Sequence, residues 1–165
     1  MNAIIWFVIF FVPAYVANMA PVFFKRLDFL DIPLDCGFKW NSKPLFGRNK
    51  TWRGLVVGTV FGGTAGIIMQ LSGLGFTWWW GFVLGFAALL GDAVKSLIKR
   101  QRGIRSGGSW MPWDQLDFII AAYIASLWMT NFSISTVLIG FVVVFVGNVI
   151  VQLIGGATRL KADSL

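Results

Sequence analysis

Residues 54–91 read GLVVGTVFGGTAGIIMQLSGLGFTWWWGFVLGFAALLG, 38 residues without one charged side chain. A helix rising about 1.5 Å per residue crosses about 30 Å of hydrocarbon in roughly 20 residues, so this run is too long for one crossing and suits two. Leu71-Ser72-Gly73-Leu74-Gly75 supplies a turn between them, giving spans near 55–71 and 77–98. The pattern repeats on both sides. Residues 2–24 carry no charge, and residues 118–158 are uncharged for 41 positions with a break at Thr130-Asn131-Phe132-Ser133. Further spans are therefore expected near 2–24, 115–130 and 136–155. The expected fold is an all-α integral membrane protein, five transmembrane helices in one membrane-embedded domain over 1–165, with loops at 25–54 and 99–113.

Composition supports that class. The chain is 57% hydrophobic and 13% charged, where a soluble domain carries roughly 25% charged residues. Its net charge of +7 is read as topology and attraction to anionic lipid headgroups, not as a nucleic-acid footprint. Seven basic residues lie in 25–53, five in 95–105 and two in the tail, while neither hairpin turn has any. All fourteen thus fall on one side, which the positive-inside rule makes cytoplasmic, with the N-terminus outside and the C-terminus cytoplasmic. Trp78, Trp79 and Trp80 beside one connection, and Trp52, Trp110 and Trp113 beside the basic loops, fit aromatic belts at the two interfaces. The first apolar segment lacks a basic stretch before it, so no cleavable signal is expected.

Glycines at 54, 58, 62 and 66 recur every four residues and form one smooth stripe, and Gly81 and Gly85 do the same on the next span. Close helix packing is the expected use. Asn18, Asn148 and Gln152, inside apolar spans, suit interhelical hydrogen bonds.

Histidine and glutamate are absent, all seven acids are aspartates, and Cys36 is the single cysteine. Histidine-dependent catalysis, an internal disulfide and a cysteine-rich metal site are thereby excluded. What remains for chemistry gathers at the basic face. Asp92, Lys95, Ser96 and Lys99 share one helix face at i, i+3, i+4 and i+7, with Arg100 beside them. Ionisable groups at a span end face the bundle or water, because facing lipid costs several kcal/mol. Lys95 suits snorkelling to the interface; Asp92, a turn deeper and after Gly91, suits a site. Asp114 and Asp117 stand three apart just after Pro112, so both carboxylates leave one face of a helix start. Capping accounts for one of them. Two on one face, opposite Asp92, suit magnesium, which takes one or two carboxylates together with phosphate oxygens and water.

Two loops suit phosphate. The basic, glycine-rich segment from Arg100 through Arg105 to Ser109 can wrap polyphosphate with guanidinium and backbone N–H groups. Gly47 to Gly54, containing Asn49, Lys50, Thr51, Trp52 and Arg53, ends at a helix start and offers N–H groups, cations and an aromatic to a phosphate or a base.

The run Ser96-Leu97-Ile98-Lys99-Arg100 followed by Asp114-Gln115-Leu116-Asp117 resembles the signature of the membrane CTP transferases that make CDP-diacylglycerol. With Asn49 to Gly54 and Pro33-Leu34-Asp35 included, the nearer resemblance is to the archaeal branch, the CDP-archaeol synthases, over most of the chain. Arg105 stands where that signature's loop has a lysine, and the Lys-Asp pair and His-Gly-Gly element of the bacterial branch are missing. The resemblance implies CTP and an isoprenoid glycerol ether phosphate as substrates, magnesium as cofactor, and an active site at the cytoplasmic face of the cell membrane. It implies Asp92, Asp114 and Asp117 on metal, and Lys99, Arg100 and Arg105 on CTP phosphates. Ser96 then bonds a phosphate or orients an aspartate, and Asn49, Lys50, Thr51 and Arg53 hold the nucleotide. Oligomeric state is left open. So are two alternatives, a small-solute or ion transporter and a CDP-diacylglycerol synthase acting on ester lipid, although transport expects charge at the bilayer midplane.

Overall fold

The computed structural model describes residues 2–40, 43–105, 108 and 110–157, with side chains through 150. The elements are α1 (Ala3–Phe10), α2 (Val12–Phe23), a ribbon of β1 (Lys39–Trp40) and β2 (Lys43–Pro44), α3 (Trp52–Leu71), α4 (Trp78–Gln101), α5 (Trp113–Ser126) and α6 (Ile134–Ala157). The architecture is helical; among the described residues the departures from the all-α expectation are the two-residue antiparallel ribbon inside the first loop and an isolated bridge between Pro33 and Thr51.

Among the described residues, three helical stretches are long and apolar enough to cross a membrane: Ala3–Phe23, Trp52–Leu71 and Trp78–Gln101. The first is broken at Phe11, because Pro13 has no N–H to give the Ile9 carbonyl. The span expected near 115–130 is shorter, since α5 has 14 residues and reaches about 21 Å at 1.5 Å per residue. Its loss of the last turn follows from Leu127–Asn131, which leaves the helix before α6 begins at Ile134.

The bundle's outer face is apolar. Val56, Val60 and Ile68 on α3, and Leu90 and Val94 on α4, are each more than a third exposed. Patches of this extent are unstable against water and stable against acyl chains, so the chain is a membrane protein.

Glycine sets the helix spacing. A methyl built on Gly66 would lie 2.7 Å from the Gly81 Cα, and one on Gly81 would lie 2.5 Å from the Gly62 carbonyl oxygen. Further along the same stripe, a methyl on Gly58 would lie 2.5 Å from the Ala17 carbonyl oxygen. That carbonyl is available because Pro21, four residues on, has no N–H for it. Gly54, at ordinary contact distance from Pro21, is the member of the stripe that packing does not require. Gly81→Val therefore drives two backbones apart, and the expected cost is about 1–3 kcal/mol, read as a lower melting temperature of the detergent-solubilised protein.

At the end of the bundle holding the α3–α4 turn, Phe7, Phe10, Phe11, Phe76, Trp80 and Phe132 form a ring cluster with centroids 4.8–6.3 Å apart. Trp79 stacks on Trp128 at 5.0 Å at the same end. Asn148 Nδ2 donates to the Gln115 carbonyl at 2.8 Å, the expected interhelical bond between α6 and α5. The Gln152 side chain lies outside the described residues. The opposite end, where α3 and α5 begin and α4 finishes, receives the loops and the charges.

Candidate active site

The first loop is organised by a carboxylate. Asp35 Oδ1 accepts from Gly37 N at 3.0 Å, and Oδ2 accepts from Phe46 N at 3.0 Å and Gly47 N at 3.3 Å. Leu34 N donates to the Lys50 carbonyl at 2.8 Å and Trp52 N to the Ile32 carbonyl at 3.0 Å, so the loop's two arms pair before α3 starts. Lys43 Nζ then reaches the Gln101 carbonyl at 2.8 Å and ties the ribbon to the end of α4. Burial alone would raise the Asp35 pKa, but the three N–H groups outweigh it and hold the carboxyl below its ordinary range. The sign follows directly. Its contribution is fully present above the unfolded value of about 3.9 and is lost as pH falls through the lower folded value. Asp35→Ala leaves three N–H groups without their acceptor, a loss of about 1–3 kcal/mol. We expect faster tryptic cleavage at Lys39 and Arg48, both exposed in this loop, in that variant at neutral pH.

The loop delivers Lys50 to α4, where its ammonium bonds Asp92 Oδ2. Lys95, expected to snorkel outward, is turned inward instead, with its side chain 14% exposed. The reason is three carboxylates on one side of it. Lys95 Nζ lies 3.1 Å from Asp92 Oδ1, 3.3 Å from Asp114 Oδ1 and 2.8 Å from Asp117 Oδ2. The Asp117 contact is an ion pair lying off the hydrogen-bond direction, so Oδ2 has no aligned donor. Lys99 Nζ lies 2.9 and 3.1 Å from the two Asp114 oxygens and also bonds the Gly108 carbonyl. Three aspartates and three lysines thus interlock, all at the basic end of the bundle.

Gly91 permits this convergence. A methyl there would lie 2.4 Å from the Ala121 Cβ and 2.7 Å from the Asp117 carbonyl oxygen, so α5 closes on α4 at the level of the carboxylates. Capping, the alternative use of the α5 aspartates, does not occur. No side chain caps α5, whose N-cap is Pro112, and Asp114 Oδ2 instead accepts from Trp110 N.

The other sequence candidates divide. Arg100 is buried, its Nη1 bonds the Ile104 carbonyl, and its Nε is buried without a hydrogen-bond partner. Gly47, at φ +89°, lies against it, with a built methyl 3.6 Å from that Nε. Ser96 Oγ donates to the Asp92 carbonyl at 2.9 Å, holding the helix and not a carboxylate. Thr51 Oγ1 accepts from Gly54 N at 3.2 Å and caps α3. Arg53 is committed to the first loop, bonding the Leu27 carbonyl and pairing with Asp31 at 2.7 Å. Asn49 and Arg105 are exposed at the same end. Ser106, Gly107 and Ser109 of the glycine-rich loop lie outside the described residues. Sequence reasoning missed Lys95 as a centre and Asp35 as an organiser. The Asp35-Cys36-Gly37 turn signal was available for the second.

Beside the cluster, an apolar cavity of about 510 Å³ runs along the α4/α5 seam, and Lys95 and Asp117 are its only charged lining. Val94 and Ile124 on its walls are 55% and 60% exposed, so it opens sideways to acyl chains.

As for a metal, three oxygen donors facing one point have the hard-ligand chemistry of magnesium. Among the described residues no three acid, His or Cys side chains are already spaced as ligands, and an ammonium stands among the three carboxylates.

A solved structure described as an intramembrane enzyme for archaeal membrane lipids biosynthesis superposes on this fold with a TM-score of 0.80 and 26% identity, covering 88% of this chain and 92% of its own. Fold and site together define a membrane-embedded enzyme. A model of CarS-like CDP-archaeol synthases matches residues 1–161. The CDP-archaeol synthase of Sulfurisphaera tokodaii is 36% identical over 98% of this chain and 95% of its own length. That of Saccharolobus solfataricus is 37% identical over 70% and 68%, and that of Methanospirillum hungatei 35% over 72% and 78%. The chain belongs to the CDP-archaeol synthase family.

Proposed function

We propose that this chain transfers a cytidylyl group from CTP to an isoprenoid glycerol ether phosphate, giving a CDP-activated lipid and pyrophosphate. By its family it is an enzyme, a cytidylyltransferase of archaeal ether-lipid biosynthesis. The observation that carries the assignment of the site is the interlocked Asp92, Asp114 and Asp117 with Lys50, Lys95 and Lys99 at the mouth of an apolar groove. A charged headgroup and an apolar tail require just such a pair of environments side by side.

A lipid phosphate oxygen attacks the α-phosphorus of CTP; the bond from that phosphorus to the bridging oxygen breaks, and pyrophosphate leaves. A phosphate monoester is largely dianionic at neutral pH, with a second pKa of about 6, so the attack needs little general base. The absence of histidine and glutamate is then no obstacle. Magnesium, held by Asp92, Asp114 and Asp117, would neutralise phosphate charge as it gathers. Arg100, with its unpartnered Nε, Lys99 and Arg105 face the CTP phosphates in this reading, with Asn49 and Lys50 on the nucleotide. Thr51 and Arg53 act through the loop they hold, and Ser96 through α4. The lipid tail lies in the α4/α5 groove.

The reading has five crossings, with the N-terminus outside, the C-terminus and both loops cytoplasmic, and the site at the cytoplasmic face of the cell membrane. Its support is the collection of basic residues at one end of α3, α4 and α5. Purified protein in detergent, offered CTP against other nucleotides with ether and ester lipid phosphates in turn, tests the assignment. Pyrophosphate release with CTP and ether lipid is expected. Failure with every lipid, together with nucleotide counterflow in liposomes, would transfer the site to transport.

A further inference from the structure

Lys95 lies where the carboxylate cluster meets the groove. It touches all three carboxylates at 2.8–3.3 Å while its stem lines the α4/α5 cavity. Lys50 and Lys99 do not share this position. Lys50 pairs with Asp92 and Lys99 with Asp114, and neither lines the cavity. The centre holds one cation at a time, because magnesium demands oxygens at about 2.0–2.1 Å, inside the volume the ammonium fills. Asp92 and Asp114 keep a second lysine if Lys95 leaves, whereas Asp117 has no other ion pair among the described residues. A buried carboxylate left so is strongly destabilised, so departure of Lys95 is favoured when a replacement cation takes its place.

Charge and tether decide where Lys95 then goes. Asp92, Asp114 and Asp117 balance Lys50, Lys95 and Lys99, so an added divalent cation leaves the cluster in positive excess, ready for phosphate. Lys50 and Lys99 already occupy the positions beside Asp92 and Asp114. The open direction is the groove that the Lys95 stem already borders.

We propose that Lys95 is an exchangeable counter-cation: its ammonium holds Asp92, Asp114 and Asp117 together until a divalent cation displaces it toward the α4/α5 groove, where it receives the phosphate of the lipid substrate. The proposal rests on the magnesium reading above and assigns Lys95 an order of events, metal before lipid.

The wild-type protein in detergent supplies the first test. Amine acylation by acetic anhydride, mapped by mass spectrometry, should label Lys95 faster in magnesium than in EDTA at equal ionic strength; unchanged or slower labelling overturns the exchange. The second test is manganese affinity by electron paramagnetic resonance. Lys95→Met removes the competitor and should bind manganese about tenfold more tightly, the scale on which neighbours of metal ligands act. Equal or weaker binding overturns the proposal. Lys95→Gln, which retains a polar tip, serves the same measurement if the methionine variant does not fold. Asp114→Asn separates the two levels, since wild-type manganese affinity there removes the metal reading itself and this proposal with it. Lastly, a short-chain alkyl phosphate should bind the wild type more tightly with magnesium than without, and the gain should vanish in Lys95→Met. An equal gain in that variant overturns the receptor role.

Discussion

Asp114→Asn and Asp117→Asn are each expected to cut magnesium-dependent release of pyrophosphate from CTP steeply while the purified protein stays folded. Asparagine keeps the shape and removes one negative charge from a site whose task is to gather cation and polyphosphate. The stabilisation such a metal lends to developing charge is several kcal/mol, so the expected fall in rate is about a hundredfold to a thousandfold. Folding survives because each lysine keeps another partner. Lys99 retains the Gly108 carbonyl when Asp114 is neutral, and Lys95 retains Asp92 at 3.1 Å when Asp117 is neutral. Pyrophosphate release with CTP and ether lipid phosphate is the assay, and melting temperature is the control. Full activity in both variants would remove the metal assignment.

Gly91→Ala should lower kcat about a hundredfold, the scale of a 1 Å misplacement of catalytic groups, with melting temperature changed far less. The added methyl meets the Ala121 Cβ at 2.4 Å and the Asp117 carbonyl oxygen at 2.7 Å, so α5 must retreat and carry Asp114 and Asp117 away from Asp92. Ala121→Gly in the same protein removes the nearer contact and leaves the carbonyl. Partial recovery of activity is therefore expected in the double variant. No recovery, or no loss in the single one, would show that helix separation at this level does not govern the site.

These two expectations differ in how far they were legible beforehand. Asp114 and Asp117 stand out in the sequence as two carboxylates three apart after a proline, in a chain with only seven acids. Gly91 reads there as one more small residue in an apolar run, since nothing local says what faces it. The same holds for Lys95. Its spacing from Asp92 allows an i, i+3 pair and also an outward path, and only the arrival of α5 with two more carboxylates makes the inward one favourable. Arg53 and Thr51 show the reverse case. Their types and position fit nucleotide binding, yet the folded loop engages one with Asp31 and the other with the α3 N-terminus.

By itself the sequence determined the membrane class, the helical hairpin of α3 and α4, the basic end of the bundle and the family. These rest on properties that add along a chain: transfer free energy over some 20 residues, charge asymmetry between loops, and residue types at fixed spacing. Tertiary structure alone decided that three carboxylates share one ammonium, that Asp35 folds the loop bringing in Lys50, and that a groove leads from the charges to the lipid side. Each depends on how closely separate helices approach. That approach is set by contacts of a few ångströms between residues far apart in the chain, which no local pattern encodes.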